Sequence, residues 1–192
     1  TLSSTFGGIA QGFVINGAQA SEESGTSVSS AGDFNGDGLA DLLIGAYFST
    51  ANGLTQAGNT YVVFGKTTGT AVDLAQVALG NGGFVIKGDN AYDLSGVSVS
   101  SGGDINGDGF DDLIVGAYGG DDGGSSAGEA YVLFGAPFSS GAKITLTGDA
   151  GADILIGDRN RDTLDAARQV GLPVGLFARD GVNRCTFVRS QI

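Results

Sequence analysis

Short apolar runs alternate with clusters of Gly, Asn, Asp and Ser along most of the chain. Gly12-Phe13-Val14-Ile15-Asn16-Gly17 is followed by Ser24-Gly25-Thr26-Ser27-Val28-Ser29-Ser30. Asp41-Leu42-Leu43-Ile44-Gly45-Ala46-Tyr47 and Tyr61-Val62-Val63-Phe64-Gly65 come next. Val, Ile, Phe, Tyr and Ser dominate the runs and turn formers separate them, which predicts four short strands joined by tight loops. No stretch here holds a capped 3.6-residue apolar period, so no helix is expected within it.

The same set then recurs. Gly83-Phe84-Val85-Ile86-Lys87-Gly88, Ser95-Gly96-Val97-Ser98-Val99-Ser100-Ser101 and Asp112-Leu113-Ile114-Val115-Gly116-Ala117-Tyr118 follow at a spacing of 71, and Tyr131-Val132-Leu133-Phe134-Gly135 at 70. A four-stranded antiparallel unit of this length is one β-propeller blade; a meander repeated in a sandwich or solenoid is the other reading. The expected fold is therefore all-β: two four-stranded antiparallel repeats of an incomplete propeller, with an irregular C-terminal tail. Propellers close with about four blades or more. Two alone leave open edges and apolar faces, so further blades or self-association are expected. The boundaries read as 1–11 for the end of a preceding blade, 12–82 for the first blade with its linker, 83–138 for the second, 139–165 for a degenerate metal-repeat stretch and 166–192 for a basic tail.

Composition narrows the chemistry. The chain has 192 residues with 36 Gly and 2 Pro, and its apolar share of 41% argues against disorder. It carries 21 acidic against 9 basic residues, which disfavours nucleic acid and anionic membrane and favours cations. Residues 1–158 hold 3 Lys, no Arg and 18 acidic residues, whereas 159–192 hold 6 Arg and 3 acidic residues, so the composition breaks near Asp158. No apolar run approaches the roughly 18–20 residues needed to span a bilayer. The start at Thr1, without Met or a leader-like segment, reads as a processed or excised chain. A single cysteine, Cys185, excludes an intramolecular disulfide and fits a bacterial chain better than a disulfide-rich animal module. There is no His, the commonest general base and transition-metal ligand. Oxygen donors remain, and they suit Ca²⁺ or Mg²⁺.

Those donors gather in two loops, Asp33-Phe34-Asn35-Gly36-Asp37-Gly38-Leu39-Ala40-Asp41 and Asp104-Ile105-Asn106-Gly107-Asp108-Gly109-Phe110-Asp111-Asp112. Each places side-chain oxygens at positions 1, 3, 5 and 9, with Gly at 4 and 6. A curling chain brings alternate residues to one centre, and position 7, Leu39 or Phe110, offers its backbone carbonyl. The first six positions also fit an EF-hand, but its bidentate Glu at position 12 is replaced by Ile44 and Val115. The remaining alternative is a plain Asn-Gly or Asp-Gly hairpin turn, which the repetition of all four ligand positions disfavours.

The run Ser-Val-x(4)-Asp-x-Asn-Gly-Asp-Gly-x-x-Asp-Leu-x-(Ile/Val)-Gly-Ala, closing on Tyr-Val-x-Phe-Gly, resembles the FG-GAP repeat of integrin alpha subunits and their bacterial relatives. The resemblance covers about residues 12–135. It implies a seven-bladed propeller with Ca²⁺ in loops between adjacent strands. The implied ligands are Asp33, Asn35, Asp37, the Leu39 carbonyl and Asp41, then Asp104, Asn106, Asp108, the Phe110 carbonyl and Asp112. Tyr47 and Tyr118 stand where animal integrins often have Pro, and with the low blade count this points to a bacterial surface or secreted protein.

Farther on, Gly148-Asp149-Ala150-Gly151-Ala152-Asp153-Ile154-Leu155-Ile156 and, more weakly, Gly157–Asp165 resemble the RTX (haemolysin-type) Ca²⁺ nonapeptide. Two turns are too few for a stable β-roll, so a remnant is expected. The tail from Ala166 matches nothing earlier and is expected to be poorly ordered.

The function implied is a non-catalytic, Ca²⁺-binding extracellular module for adhesion or for binding a protein or glycan. The alternative is a Ca²⁺-stabilised appendage of a secreted hydrolase or lyase whose catalytic domain lies outside this chain. Catalysis by the chain itself is not expected. Adjacent acids such as Asp111-Asp112 and Asp121-Asp122 point to opposite faces of a strand and do not converge on one bond.

Overall fold

The structure is a computed structural model, and it describes residues 5–6, 9–10, 12–137, 145–147 and 163–165. The chain divides into two compact units, 1–137 and 138–192. The first opens with β1 (Thr5–Phe6) paired antiparallel to β2 (Ile9–Ala10). The second contains β12 (Thr145–Thr147) paired in parallel with β13 (Thr163–Asp165).

Two antiparallel sheets make up the body of the first unit. One has the order β4-β5-β6-β8, from Ser27–Gly32, Asp41–Ala46, Asn59–Val63 and Gly83–Lys87. The other has the order β9-β10-β11 with β10 central, from Ser98–Gly103, Asp112–Ala117 and Glu129–Leu133. The expectation of an all-β fold of incomplete propeller blades holds, with no closed barrel among the described residues.

The repeat in sequence and the sheet in space are offset. Gly83–Lys87 opens the second sequence unit, yet it is the fourth strand of the first sheet, with Tyr61 opposite Val85 and Val62 opposite Phe84. The second sheet accordingly has three strands rather than four among the described residues. The counterpart of Gly83–Lys87 in the first unit holds β3 (Ile15–Asn16), which pairs in parallel with β7 (Val72–Asp73).

A one-turn helix, α1 (Leu74–Val77), departs from the expectation of no helix. Its N-cap is Asp73, whose Oδ1 accepts the Ala75 N–H at 2.9 Å. One turn is too short to show a 3.6-residue period, so the cap was its only sequence signal.

The core forms on one face of the first sheet. Ile44, Ala46, Tyr61 and Val63 pack against Leu74 and Val77 of α1, with Ile15, Ala18, Leu42, Val72 and Val85 around them. Leu43 and Gly45 alternate to the opposite face, and that face meets the second sheet. A Cβ on Gly45 would lie 2.0 Å from the Gly96 carbonyl oxygen, so only glycine permits this approach. The Val99 N–H donates to Ser27 Oγ at 3.0 Å across the same boundary.

The nonapeptide stretch 148–165, apart from β13, and the tail 166–192 lie outside the described residues.

Candidate metal centre

Each long loop grows from a bulge. The registers of β4 on β5 and of β9 on β10 both slip at the loop mouth, beside Gly32 and Gly103. These two have φ of 64° and 65°, a left-handed conformation that glycine adopts freely. The extra residue turns the chain out of the ladder and begins the curl.

Side-chain oxygens capturing backbone N–H groups then close the curl. In loop 1, Asp33 Oδ1 accepts from Asp37 N and Asp33 Oδ2 from Gly38 N, both at 2.9 Å. Asn35 Oδ1 also accepts from Asp37 N at 2.9 Å, while Asn35 Nδ2 donates to Asp37 Oδ2 at 3.0 Å. Asp37 Oδ1 accepts from Leu39 N at 2.9 Å, and Asp41 Oδ1 from Gly65 N at 2.7 Å. Loop 2 repeats the pattern. Asp104 holds Gly107, Asp108 and Gly109; Asn106 Nδ2 donates to Asp108 Oδ2 at 2.8 Å; Asp108 holds Phe110; and Asp112 Oδ1 accepts from Gly135 N at 2.8 Å.

Asp33, Asn35 and Asp37 are thus drawn together, as are Asp104, Asn106 and Asp108. Leu39 and Phe110 are placed through their N–H groups. As they stand, no three acidic side chains among the described residues close into a cluster that could hold an ion, because their oxygens are turned onto the loop's own N–H groups. An ionised carboxylate oxygen that accepts one N–H still has a lone pair for a cation.

The closing aspartates differ. Asp112 has both oxygens bonded, the second accepting from Ile105 N at 2.7 Å. Asp41 is fully buried, and its Oδ2 has no hydrogen-bond partner of acceptable geometry. Burial raises the Asp41 pKa from 3.8 to about 6. The Gly65 N–H opposes this, the Asp37 charge adds to it, the Asn35 N–H opposes it and the Asp33 charge adds to it. A buried carboxylate oxygen with no well-aligned donor, facing two like charges, is costly unless a cation or proton satisfies it. With only hard oxygens around it, this donor set fits a divalent cation of the Ca²⁺ kind.

Two features were missed by the sequence reading. Glu22 is buried and accepts from Ala18 N, Ser24 Oγ, Ser49 Oγ and Tyr61 OH. Its signal was Asp93, an acid at the same place in the next unit and also buried. The other is Asp111, weighed above only as half of an acidic pair, which in the structure contacts loop 1.

The FG-GAP repeat model matches residues 24–63 and 95–133, the spans that hold the two loops and their flanking strands. Both spans are similar to FG-GAP repeats. The chain is similar to integrin alpha-5 of Xenopus laevis, 33% identical over 106 residues, which is 55% of this chain and 9% of that protein. It is also similar to integrin alpha-PS2 of Drosophila melanogaster, 34% identical over 138 residues, 68% of this chain and 9% of that protein. The chain spans about a tenth of the length of these relatives. Among its described residues no helix is long and apolar enough to cross a membrane.

Proposed function

We propose that this FG-GAP chain is a Ca²⁺-binding, non-catalytic module that recognises a protein or glycan outside the cell, either secreted or at the surface, and of the bacterial kind. The observation that carries the metal reading is the buried, unbonded Asp41 Oδ2 at the end of a loop whose other donors are all oxygens. Asp33, Asn35, Asp37, the Leu39 carbonyl and Asp41 would hold one ion. Asp104, Asn106, Asp108, the Phe110 carbonyl and Asp112 would hold the second. A bound cation supplies positive charge where the loop concentrates negative charge, and in the second loop it braces a segment exposed from 104 to 109. Extracellular Ca²⁺ modules bind with Kd of about 10⁻⁴–10⁻³ M, and this range is expected here.

The resemblance to integrin alpha subunits supports the adhesion-type reading. The second sheet supports the expectation of partners. Among the described residues its β11 is paired only to β10, and Ala130 and Val132 on it are exposed. Further blades or a second copy of the chain would complete it.

Thermal unfolding in EGTA and in millimolar Ca²⁺ tests the metal reading, beside the double variant Asp37→Ala/Asp108→Ala. Ca²⁺ raises the Tm of the parent and leaves the double variant unchanged. Stabilisation is about 2.7 kcal/mol once Ca²⁺ exceeds its Kd a hundredfold. A folded parent that does not respond would reduce the loops to turns.

A further inference from the structure

Loop 2 reaches across the space between the sheets and grips loop 1. Asp111 Oδ2 accepts the N–H of Asp33, the first donor of loop 1, at 2.8 Å. Gly32 makes room for it, since a Cβ there would lie 2.1 Å from the same oxygen. Beside it, the Phe110 ring covers Gly36, where a Cβ would stand 2.3 Å from Phe110 Cε1. A second strap comes from the end of β11, where the Ala136 N–H donates to the Phe34 carbonyl at 3.1 Å. The neighbouring Gly135 N–H is held by Asp112. Gly32 and residues 33, 34 and 36 of loop 1 thus rest on Asp111, on Phe110 and on Ala136, which follows the Gly135 held by Asp112.

The grip runs one way and is not part of the repeat. Ala40 occupies the position in loop 1 that Asp111 has in loop 2, and it has no carboxylate to offer. The two loops also differ in support. Phe34 and Asn35 are buried, whereas residues 104–109 are all exposed. Loop 2 therefore has little packing around its internal hydrogen bonds, and a cation is the agent on hand to order it further.

We propose that Asp111 is a positioning residue that couples the two cation loops, so that an ion in loop 2 raises the affinity of loop 1. Closing Asp104, Asp108, the Phe110 carbonyl and Asp112 on an ion settles Phe110 and Asp111 between them. Asp111 then fixes the Asp33 N–H, which orients the first ligand of loop 1. Coupling between binding sites is reciprocal, so an ion in loop 1 raises the affinity of loop 2 by the same factor. Such couplings commonly amount to about 5- to 150-fold, and a value near the lower end is expected from one hydrogen bond and one ring contact. The proposal rests on the Ca²⁺ reading of both loops.

Calorimetric Ca²⁺ titration of the full chain tests it, with Asp108→Ala disabling loop 2 and Asp37→Ala disabling loop 1. In Asp108→Ala, loop 1 binds at least about fivefold more weakly than in the parent. Loop 2 weakens by the same factor in Asp37→Ala. Asp111→Ala shrinks the difference that Asp108 makes to the affinity of loop 1, leaving only what the Phe110 ring contact carries. Asp111→Asn keeps an acceptor for the Asp33 N–H and preserves the difference, which separates positioning from a mere change of charge. The Asp108→Ala comparison leaves Asp111 intact, so it decides the matter even where Asp111→Ala does not fold. Equal affinity of loop 1 in the parent and in Asp108→Ala overturns the coupling while leaving the metal reading in place. No Ca²⁺ uptake by the parent overturns both.

Discussion

The two sheets are built from nearly the same sequence and live in different surroundings. All five residues of β6 are buried, whereas β11 alternates between half-buried and exposed. At equivalent places in the loops, Phe34 is 1% exposed and Ile105 is 52% exposed. The first sheet has β8 along its edge, α1 on one face and the second sheet on the other. The second sheet is covered on the face toward the first, where Leu113, Val115 and Ala117 are buried. A repeat of this chain therefore does not carry its own core. It carries a pattern of apolar positions, and its neighbours decide which of them leave water.

That contrast can be broken most sharply at Phe34 and Ile105. Phe34→Ala should cost about 3–5 kcal/mol through the cavity it leaves, while Ile105→Ala should stay within about 0.5 kcal/mol. Urea unfolding reads the difference as a shift in midpoint for the first variant only. Similar losses for both would mean that the second loop is covered in solution.

Gly45 and Gly116 form the next pair. A methyl on Gly45 meets the Gly96 backbone carbonyl, which has nowhere to turn, whereas on Gly116 it meets Ser98 Oγ, a rotatable hydroxyl. Gly45→Ala should cost about 1–3 kcal/mol and Gly116→Ala markedly less. The Tm values of the two variants rank them, and an equal drop would refute the close approach of the sheets.

The smallest effect is electrostatic and separates Glu22 from Asp93. Glu22 is satisfied by four donors in the first sheet's surroundings. Asp93 has the Asn90 N–H at 3.2 Å but shares its site with acids. Burial, the Asp89 hydrogen bond and the Asp89 and Glu129 charges raise its pKa from 3.8 to about 6, against the Asn90 N–H. The folded state thus holds this proton more tightly than the unfolded one. The contribution is fully present below about 3.8 and is lost as pH climbs through about 6. Without metal, the chain should melt higher at pH 5 than at pH 7.5. Asp93→Asn should reduce that dependence, Asp41 supplying the rest, and stabilise the chain at pH 7.5, while Glu22→Gln should destabilise it by about 1 kcal/mol. A pH profile that Asp93→Asn leaves unchanged would remove Asp93 as its source.

Much of the candidate centre was legible because it is local. Asp33 reaches Asp37 and Gly38, and Asn35 reaches Asp37, within one curl of chain, so residue type and spacing alone place these groups together. The strands were legible for the same reason, since alternation and turn residues act over a few positions. The sheet that the Gly83–Lys87 strand joins was not, because it pairs with β6 of the preceding unit and not with the strands of its own repeat. Nor was α1, whose single turn is held by packing Leu74 and Val77 into the core.

By itself, then, the sequence determined two β units, each with a loop of oxygen donors at fixed spacing, since these follow from contacts a few residues apart. Only the tertiary structure decided which strands share a sheet, which of two like residues is buried, that Asp41 lies buried with one oxygen unbonded, and that Asp111 grips Asp33. Each of these rests on groups distant in the chain, brought together when apolar faces leave water. Nothing in the local order of residues specifies which distant neighbour will be there.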